Sequence, residues 1–471
     1  MRYLMIILVV AVMLAGYFGT PEGATLEGIA LHTPGAGIAP AFVKFVPDML
    51  SIAIVIYVVT AGIGQQFRFV NTKYWLVFGA LAVIIASGCL ANQEAPGPII
   101  NGMRYYFRAI PWFFLPAVYR FKDKEIAQFL KLVMGFALLQ VPVAVWQRHK
   151  TAALGLWTGD AVVGTLLASG VLSLVLIGVL CVLAGMALKG RIGKLYAGFL
   201  FLLLVVPMSV NETKITAVLL PIALFATALV GAAPGNRLRV SLWALGLLVA
   251  AGAIFVPVMD YYYAVNVRGG GTKFSVEAFF SDPKVLQEYL EHKAPVGSTK
   301  EAGRVDALVV PIEELSKDPI KIAFGLGIGN ASKSSIGPSF TGKYQRVYGI
   351  YSTETSFATF TLEIGILGVL LVLFLHWLLF LDAVVVARRD DSLIAPIAVG
   401  YAGVCVTVIA GGFYTLCHPS DAFSYLFWFS SGLIAARRQQ LAIASSSRPR
   451  EPIRHHRAAA ATPLRIGGGV R

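Results

Sequence analysis

The stretch VVGTLLASGVLSLVLIGVLCVLAGMAL, residues 162–188, contains no Asp, Glu, Lys or Arg. A helix needs about 20 apolar residues to cross the hydrocarbon core of a bilayer, so this run predicts a transmembrane helix. Runs of similar character recur along the chain. Twelve segments can be read, near 3–18, 48–64, 74–91, 99–119, 126–146, 162–188, 192–209, 213–231, 238–257, 355–382, 393–413 and 422–436. The fourth is the weakest, because Arg104, Arg108 and Pro111 interrupt it. The first has the flavour of a signal peptide, with Arg2 ahead of a short apolar stretch. No A-x-A cleavage site follows it, so it is read as an anchor. The expected fold is an all-α polytopic membrane protein.

Composition supports this expectation. The 471 residues are 57% hydrophobic and 14% charged, with a mean hydropathy of +0.73. A soluble domain carries about 25% charged residues, so a soluble fold is disfavoured, as is disorder outside the C-terminal tail. The net charge is +14, and from Arg437 onward there are eight Arg and one Glu, half of the excess. Most of the remainder sits in short loops between apolar runs, which is a pattern of membrane topology rather than of a nucleic-acid groove. Nucleic acid is not an expected partner. Cys89, Cys181, Cys405 and Cys417 show neither CxxC nor metal-ligand spacing. Separate thiols are favoured over a Cys89–Cys417 disulfide, and zinc is not supported.

Cytoplasmic loops are enriched in Lys and Arg. With the N-terminus in the cytoplasm, Arg68, Lys73, Arg120, Lys122, Lys124, Lys189, Arg191, Lys194, Arg237, Arg239, Arg388, Arg389, Arg437 and Arg438 all fall inside. The links 19–47 and 414–421 fall outside. The chain then divides into helices one to nine (1–257), an outer loop (258–353), helices ten to twelve (354–436) and a basic cytoplasmic tail (437–471) expected to be disordered and in contact with anionic lipid.

The outer loop spans 96 residues with 11 Lys/Arg and 10 Asp/Glu. Asp282-Pro283 offers a cap and a first-turn proline for a helix through Lys293. Ser298-Thr299-Lys300-Glu301 reads as a capping box before a second helix. These signals predict an ordered lid rather than a loose connection.

Charges at membrane depth are costly and tend to face a cavity or a partner. Arg104 and Arg108 lie four apart on one helical face. Arg148 follows the fifth segment, Lys214 lies in Asn211-Glu212-Thr213-Lys214, and Arg304 opens the second lid helix. Together they could form a cationic pocket for a phosphate or pyrophosphate on a lipid head group. The alternative is that each anchors a helix end or snorkels to the interface.

Phe324-Gly325-Leu326-Gly327-Ile328-Gly329-Asn330 contains G-x-G-x-G without the βαβ context of a dinucleotide loop. It reads as a turn whose N–H groups face a ligand or a packed helix, or as a plain re-entry turn. Glu354, at the outer mouth of the tenth segment, is a candidate general base or a helix N-terminal acid complementing the dipole. Glu363 lies about two and a half turns deeper and should pair with a cation or a backbone group.

In order and spacing, Gly303-Arg304, Gly325-Leu326-Gly327-Ile328-Gly329-Asn330 and Glu363-Ile364-Gly365-Ile366-Leu367-Gly368 resemble the O-antigen ligase/polymerase superfamily of bacterial envelope proteins, most strongly over 298–370. The twelve-helix layout with a large outer loop between helices nine and ten is similar too; the first half resembles the family only in topology. Two departures stand out. The family's His-Asn falls on Glu354-Thr355, and its Ser-Arg-Gly at the eighth segment is matched weakly by Thr213-Lys214-Ile215.

The resemblance implies a multi-pass protein of the bacterial inner membrane with both termini cytoplasmic. It implies a glycosyltransferase that polymerises undecaprenyl-pyrophosphate-linked repeat units into O-antigen or exopolysaccharide on the periplasmic face. Its partners would be that lipid-linked glycan, the bilayer, and chain-length regulator or export proteins. Arg304 and Glu354 would be catalytic. Arg148, Lys214, Arg104 and Arg108 would bind pyrophosphate. Gly325, Gly327 and Gly329 would form the turn, and Glu363, Gly365 and Gly368 would be structural. No metal or other cofactor is called for. The missing His favours a polymerase over a ligase. A transporter or flippase of lipid-linked sugars is the alternative from another class, although no repeat relates the two halves as transporters often show.

Overall fold

The structure, a computed structural model, describes residues 2–14, 25–26, 29–30, 45–65, 70–153, 162–211, 213–265, 281–290, 302–334, 336–417 and 421–446. Arg68, Glu212, the Ser298–Glu301 capping box, most of the 19–47 link and the tail beyond 446 lie outside the described residues. The described chain is helical apart from a minimal antiparallel pair, β1 (Thr25–Leu26) and β2 (Ile29–Ala30), and short 3-10 turns.

The first half contains α1 (Arg2–Met13), α2 (Val46–Gly64), α3 (Thr72–Ala91), α4 (Pro96–Phe107), α5 (Pro111–Val118), α6 (Asp123–Ala153), α7 (Ser169–Leu188), α8 (Lys194–Val210), α9 (Thr216–Gly231) and α10 (Arg237–Val265). Then come four short helices, α11 (Pro283–Leu290), α12 (Asp306–Leu315), α13 (Pro319–Phe324) and α14 (Gln345–Ser352). The chain closes with α15 (Ser356–Arg389), α16 (Ile394–Gly411) and α17 (Asp421–Ser446). Among the described residues seven helices are long and apolar enough to cross a membrane: α2, α3, α6, α7, α10, α15 and α16. Shorter apolar helices are α1, α8 and α9. These are the features of a helical membrane protein.

Several segments differ from their expected extent. The fourth divides into α4 and α5 at Arg108–Ile110, with Pro111 starting the second piece. The aromatic side chains of α5 turn inward instead of meeting lipid. Trp112 and Phe113 are fully buried. Phe113 meets Tyr74 edge-on, and Trp75 stacks on Phe114. The fifth segment continues through Pro142 to Ala153, which takes Arg148 into a helix. Such prolines are tolerated where neighbouring helices compensate the lost hydrogen bond. The tail was expected to be disordered from 437, but α17 runs to Ser446, so residues 437–446 are helical.

The centre of the bundle is the contact of α7 with α16. Gly185 lies against the Pro396 carbonyl and the Gly400 amide, and Gly400 lies against Cys181 and Val182. Small residues let helix backbones approach closely where no solvent drives association. The four cysteines are free thiols.

At one end of the bundle, buried Asp382 accepts Lys73 Nζ at 2.7 Å and Tyr74 OH at 2.7 Å, with Arg438 Nε 3.9 Å away. Arg437 donates to Asp390 at 2.6 Å, and Lys189 Nζ to the Ala387 carbonyl at 2.6 Å. All four cations belong to the side assigned inside by charge. At the opposite ends of α15 and α17 lie two separate groups, Asp48 with Arg104, Arg108 and Asp421, and Arg304 with Glu354.

Asp382 therefore ties α3, α15 and α17 together. Asp382→Ala should destabilise the protein by about 2–3 kcal/mol, because one deletion strands a tyrosine hydroxyl and two cations. A thermal unfolding midpoint in detergent equal to wild type would count against this role.

Candidate functional site

The site is built on a break in α15. Thr355 caps the helix, its hydroxyl accepting Ala358 N–H at 3.0 Å. Ten residues on, Gly365 has φ +68° and ψ −177°, values outside the helical range. Glycine is required there, since a Cβ would overlap the Ala323 carbonyl and Gly325 N. At the break, the carbonyls of Leu362 and Glu363 accept N–H groups of Leu326 at 2.7 Å and Gly327 at 3.2 Å.

The fully buried Glu363 carboxylate completes the attachment. It accepts Gly329 N–H at 2.8 Å, Ala331 N–H at 3.2 Å and Ser332 Oγ–H at 2.6 Å. Among the described residues Glu363 thus meets backbone groups and a hydroxyl rather than a cation. Asn330 extends the clamp: its side-chain amide donates to the Leu326 carbonyl at 2.8 Å, and its Oδ1 accepts Lys343 N–H at 3.2 Å. Buried Gly368 follows one turn after the break. The turn Gly325–Gly329 is thereby packed on a helix, one of the two roles its sequence left open. Its other side rests on α3 and α4: Asn92 Nδ2 reaches the Gly325 carbonyl at 3.0 Å, and Gly329 lies against Pro98.

Arg304 and Glu354, fifty residues apart, form an ion pair through Nη1 and Oε2. The same Nη1 donates to the Glu354 backbone carbonyl at 3.3 Å. The guanidinium also lies over the Tyr414 ring, 5.1 Å from its centre, a cation–π arrangement. The link carrying Tyr414 is fixed to the start of α15 by Ser356 N–H on the Thr415 carbonyl (3.1 Å) and Cys417 N–H on Ser356 Oγ (2.8 Å). The side chains of Arg304 and Glu354 remain 28% and 14% exposed, so the pair sits at an accessible surface.

The remaining cations are disposed differently. Arg104 holds Asp48 through two hydrogen bonds of 2.8 and 2.9 Å. Arg108 pairs with Asp421 and lies 3.7 Å from Asp48. These two arginines join α2, α4 and α17, which matches the helix-anchor alternative. Arg148 is fully buried in α6. Beside it, Gln147 braces Gly164 through N–H and carbonyl, at 2.8 and 2.7 Å. Lys214 lies in the α8–α9 link, which Asn211 fastens to α7 through the Ser169 carbonyl at 3.1 Å and Ser173 at 2.9 Å. The structure therefore brings together Arg304 with Glu354, and Arg104 with Arg108, as separate pairs.

Sequence inspection did not single out Tyr414, Asp48, Asp421, Glu94 or Lys343. For Asp48 and Asp421 a signal existed, because both begin apolar segments at the same end as Arg104 and Arg108. Glu94 lies in the turn between α3 and α4. Burial and the Glu363 charge raise its carboxyl, against the lowering effect of Cys89 and Lys343, to about 7. An apolar cavity of about 500 Å³ between α6, α7, α16 and α17 contains none of these residues. Among the described residues no group of three His, Cys, Asp or Glu side chains is placed to hold a metal.

Two substitutions test the attachment of the turn. Glu363→Ala strands two amides and a hydroxyl and should cost about 2–4 kcal/mol. Gly365→Ala forces an L residue to positive φ against a carbonyl and should cost at least about 1–3 kcal/mol. Unfolding midpoints in detergent matching wild type would remove the turn from the stable core. No protein-family model matches the chain, and no curated protein matches it significantly.

Proposed function

We propose that the chain is a bacterial inner-membrane glycosyltransferase that polymerises undecaprenyl-pyrophosphate-linked repeat units on the periplasmic face. The supporting observation is the Arg304–Glu354 pair, half-open at the end of the bundle opposite the cation-rich loops. Arg304 belongs to the Gly303-Arg304 pair that resembles the O-antigen ligase/polymerase superfamily, and Glu354 stands where that family has its His. The coupling of the glycine turn to Glu363 and Gly365 gives the other motifs of that resemblance one shared structural task.

In this proposal twelve segments span the membrane, both termini are cytoplasmic, and 258–353 form the lid. The glycosidic C1–O bond to pyrophosphate breaks, and a new C1–O bond forms to a hydroxyl of the incoming unit. Glu354 accepts the proton released by that hydroxyl, which requires an approach of about 3 Å. Arg304 faces the charge that builds on the departing pyrophosphate, and a fixed guanidinium is most effective where charge develops. Arg148 and Lys214 would add positive potential from α6 and the α8–α9 link. Arg104 and Arg108, engaged by Asp48 and Asp421, would hold the helices in place. Helices α12, α13 and α14 pack on α15 and would limit water, which otherwise hydrolyses the donor.

Deletion of the gene should leave single repeat units on the carrier and remove long chains, read as a glycan ladder on a gel. Long chains retained on the carrier would indicate a ligase, and repeat units trapped in the cytoplasm a flippase. In a complemented strain Arg304→Ala should lower chain extension by about 10²–10³-fold, and Glu354→Gln by about 10²-fold or more, with normal membrane insertion. Full-length ladders from both variants would reject the assignment of these two residues.

A further inference from the structure

We propose that Glu94 is a positioning residue for the glycine turn, holding residues 325–330 in place while protonated and loosening them when ionised. The geometry begins with the backbone. Gln93 has φ +47°, the positive-φ non-glycine residue among those described, and this conformation follows the end of α3. The Asn92 side chain fastens the same turn to the Gly88 and Gly325 carbonyls at 2.8 and 3.0 Å. Glu94 is thereby set against Gly327, so closely that a Cβ at that glycine would overlap Oε2. Gly327 itself has φ +99°.

Both carboxylate oxygens of Glu94 are buried and accept no N–H or O–H among the described residues. A buried carboxylate whose donor is a weak one, the Cys89 thiol, is costly in its charged form, whereas a neutral acid tolerates such a place. The titratable and charged groups facing it are Cys89 on α3, Lys343 ahead of α14 and Glu363 on α15. Glu363 already holds the turn from the far side, and its charge opposes a second one. Lys343 offers the opposite pull. Its Nζ is kept 3.0 Å from the Asn92 carbonyl, two residues from Glu94. Ionised Glu94 is therefore repelled by Glu363 across the turn, a repulsion that Lys343 only partly offsets.

The sign of the effect follows from linkage. The acid is raised in the closed turn, so closed protein binds more protons than open protein. Closure is then fully stabilised at low pH, weakens as pH rises from about 4.5, and levels off near 7. This behaviour is a property of the turn and does not depend on which reaction the site performs.

Hydrogen–deuterium exchange of the full chain in lipid nanodiscs tests it. After correction for intrinsic exchange, protection of amides 326–331 should fall at least about tenfold between pH 5 and 7.5, since each unit of linkage is worth a factor of ten. Glu94→Gln should remain protected and flat over that range. Lys343→Met, which removes the opposing charge, should extend the decline to higher pH. A wild-type profile without pH dependence would overturn the proposal. So would a Glu94→Gln profile that follows wild type, or a Lys343→Met profile with no displacement.

Discussion

The glycine turn and the break in α15 each supply what the other lacks. Inside a bilayer-facing bundle, a backbone N–H or carbonyl without a partner costs several kcal/mol. A break in a helix of 34 residues creates such groups, and so does a turn without regular structure. Leu362 and Glu363 carbonyls meet Leu326 and Gly327 amides, and the Glu363 carboxylate takes up the next two donors of the turn and the Ser332 hydroxyl. Residues 325–332 are thereby joined to α15, a helix long and apolar enough to cross a membrane, chiefly through backbone groups and one carboxylate. Arg304 and Glu354 stand on the two segments that this junction aligns, the approach to α12 and the end of α14.

How much of this could be read from sequence depends on the range of the interaction. Helices such as α7 and α3 announce themselves through length and apolarity, which are local properties. The sorting of Lys73, Lys189, Arg437 and Arg438 to one end was legible too, because charge sets sidedness loop by loop. The break into α4 and α5 was hinted at by Arg108 and Pro111. The extension of α17 to Ser446 was not, since a basic stretch reads as tail when its contacts, such as Arg437 on Asp390, cannot be seen.

The site divides the same way. Arg304, Glu354 and Glu363 stand out because charge near or within an apolar segment is expensive. The partners of Glu363 do not stand out, because pairing with amides and a hydroxyl 31 to 34 residues away leaves no local trace. Glu363 illustrates the limit: its depth required a partner, yet a cation and a set of amides satisfy a carboxylate equally well on paper. The structure selects amides, which makes the residue part of the frame. Arg104 and Arg108 show the reverse case. Two forks one turn apart look suited to phosphate, but Asp48 and Asp421 reach the same height from α2 and α17 and occupy them.

This distinction bears on which cations can respond to an anionic ligand. Displacing Asp48 from Arg104 would break two short hydrogen bonds and leave a half-buried carboxylate behind, a loss that few ligands would offset. The Arg304 side chain is more exposed than that of Arg104, and its guanidinium also lies over the Tyr414 ring. A ring face holds the cation without occupying its hydrogen-bond donors. In the proposed reaction Arg304 would turn donors toward a phosphate while keeping its ring contact, and Glu354 would face a neutral hydroxyl. The pair is polar and partly accessible, whereas the frame that joins the turn to α15 is made from amides and a fully buried carboxylate.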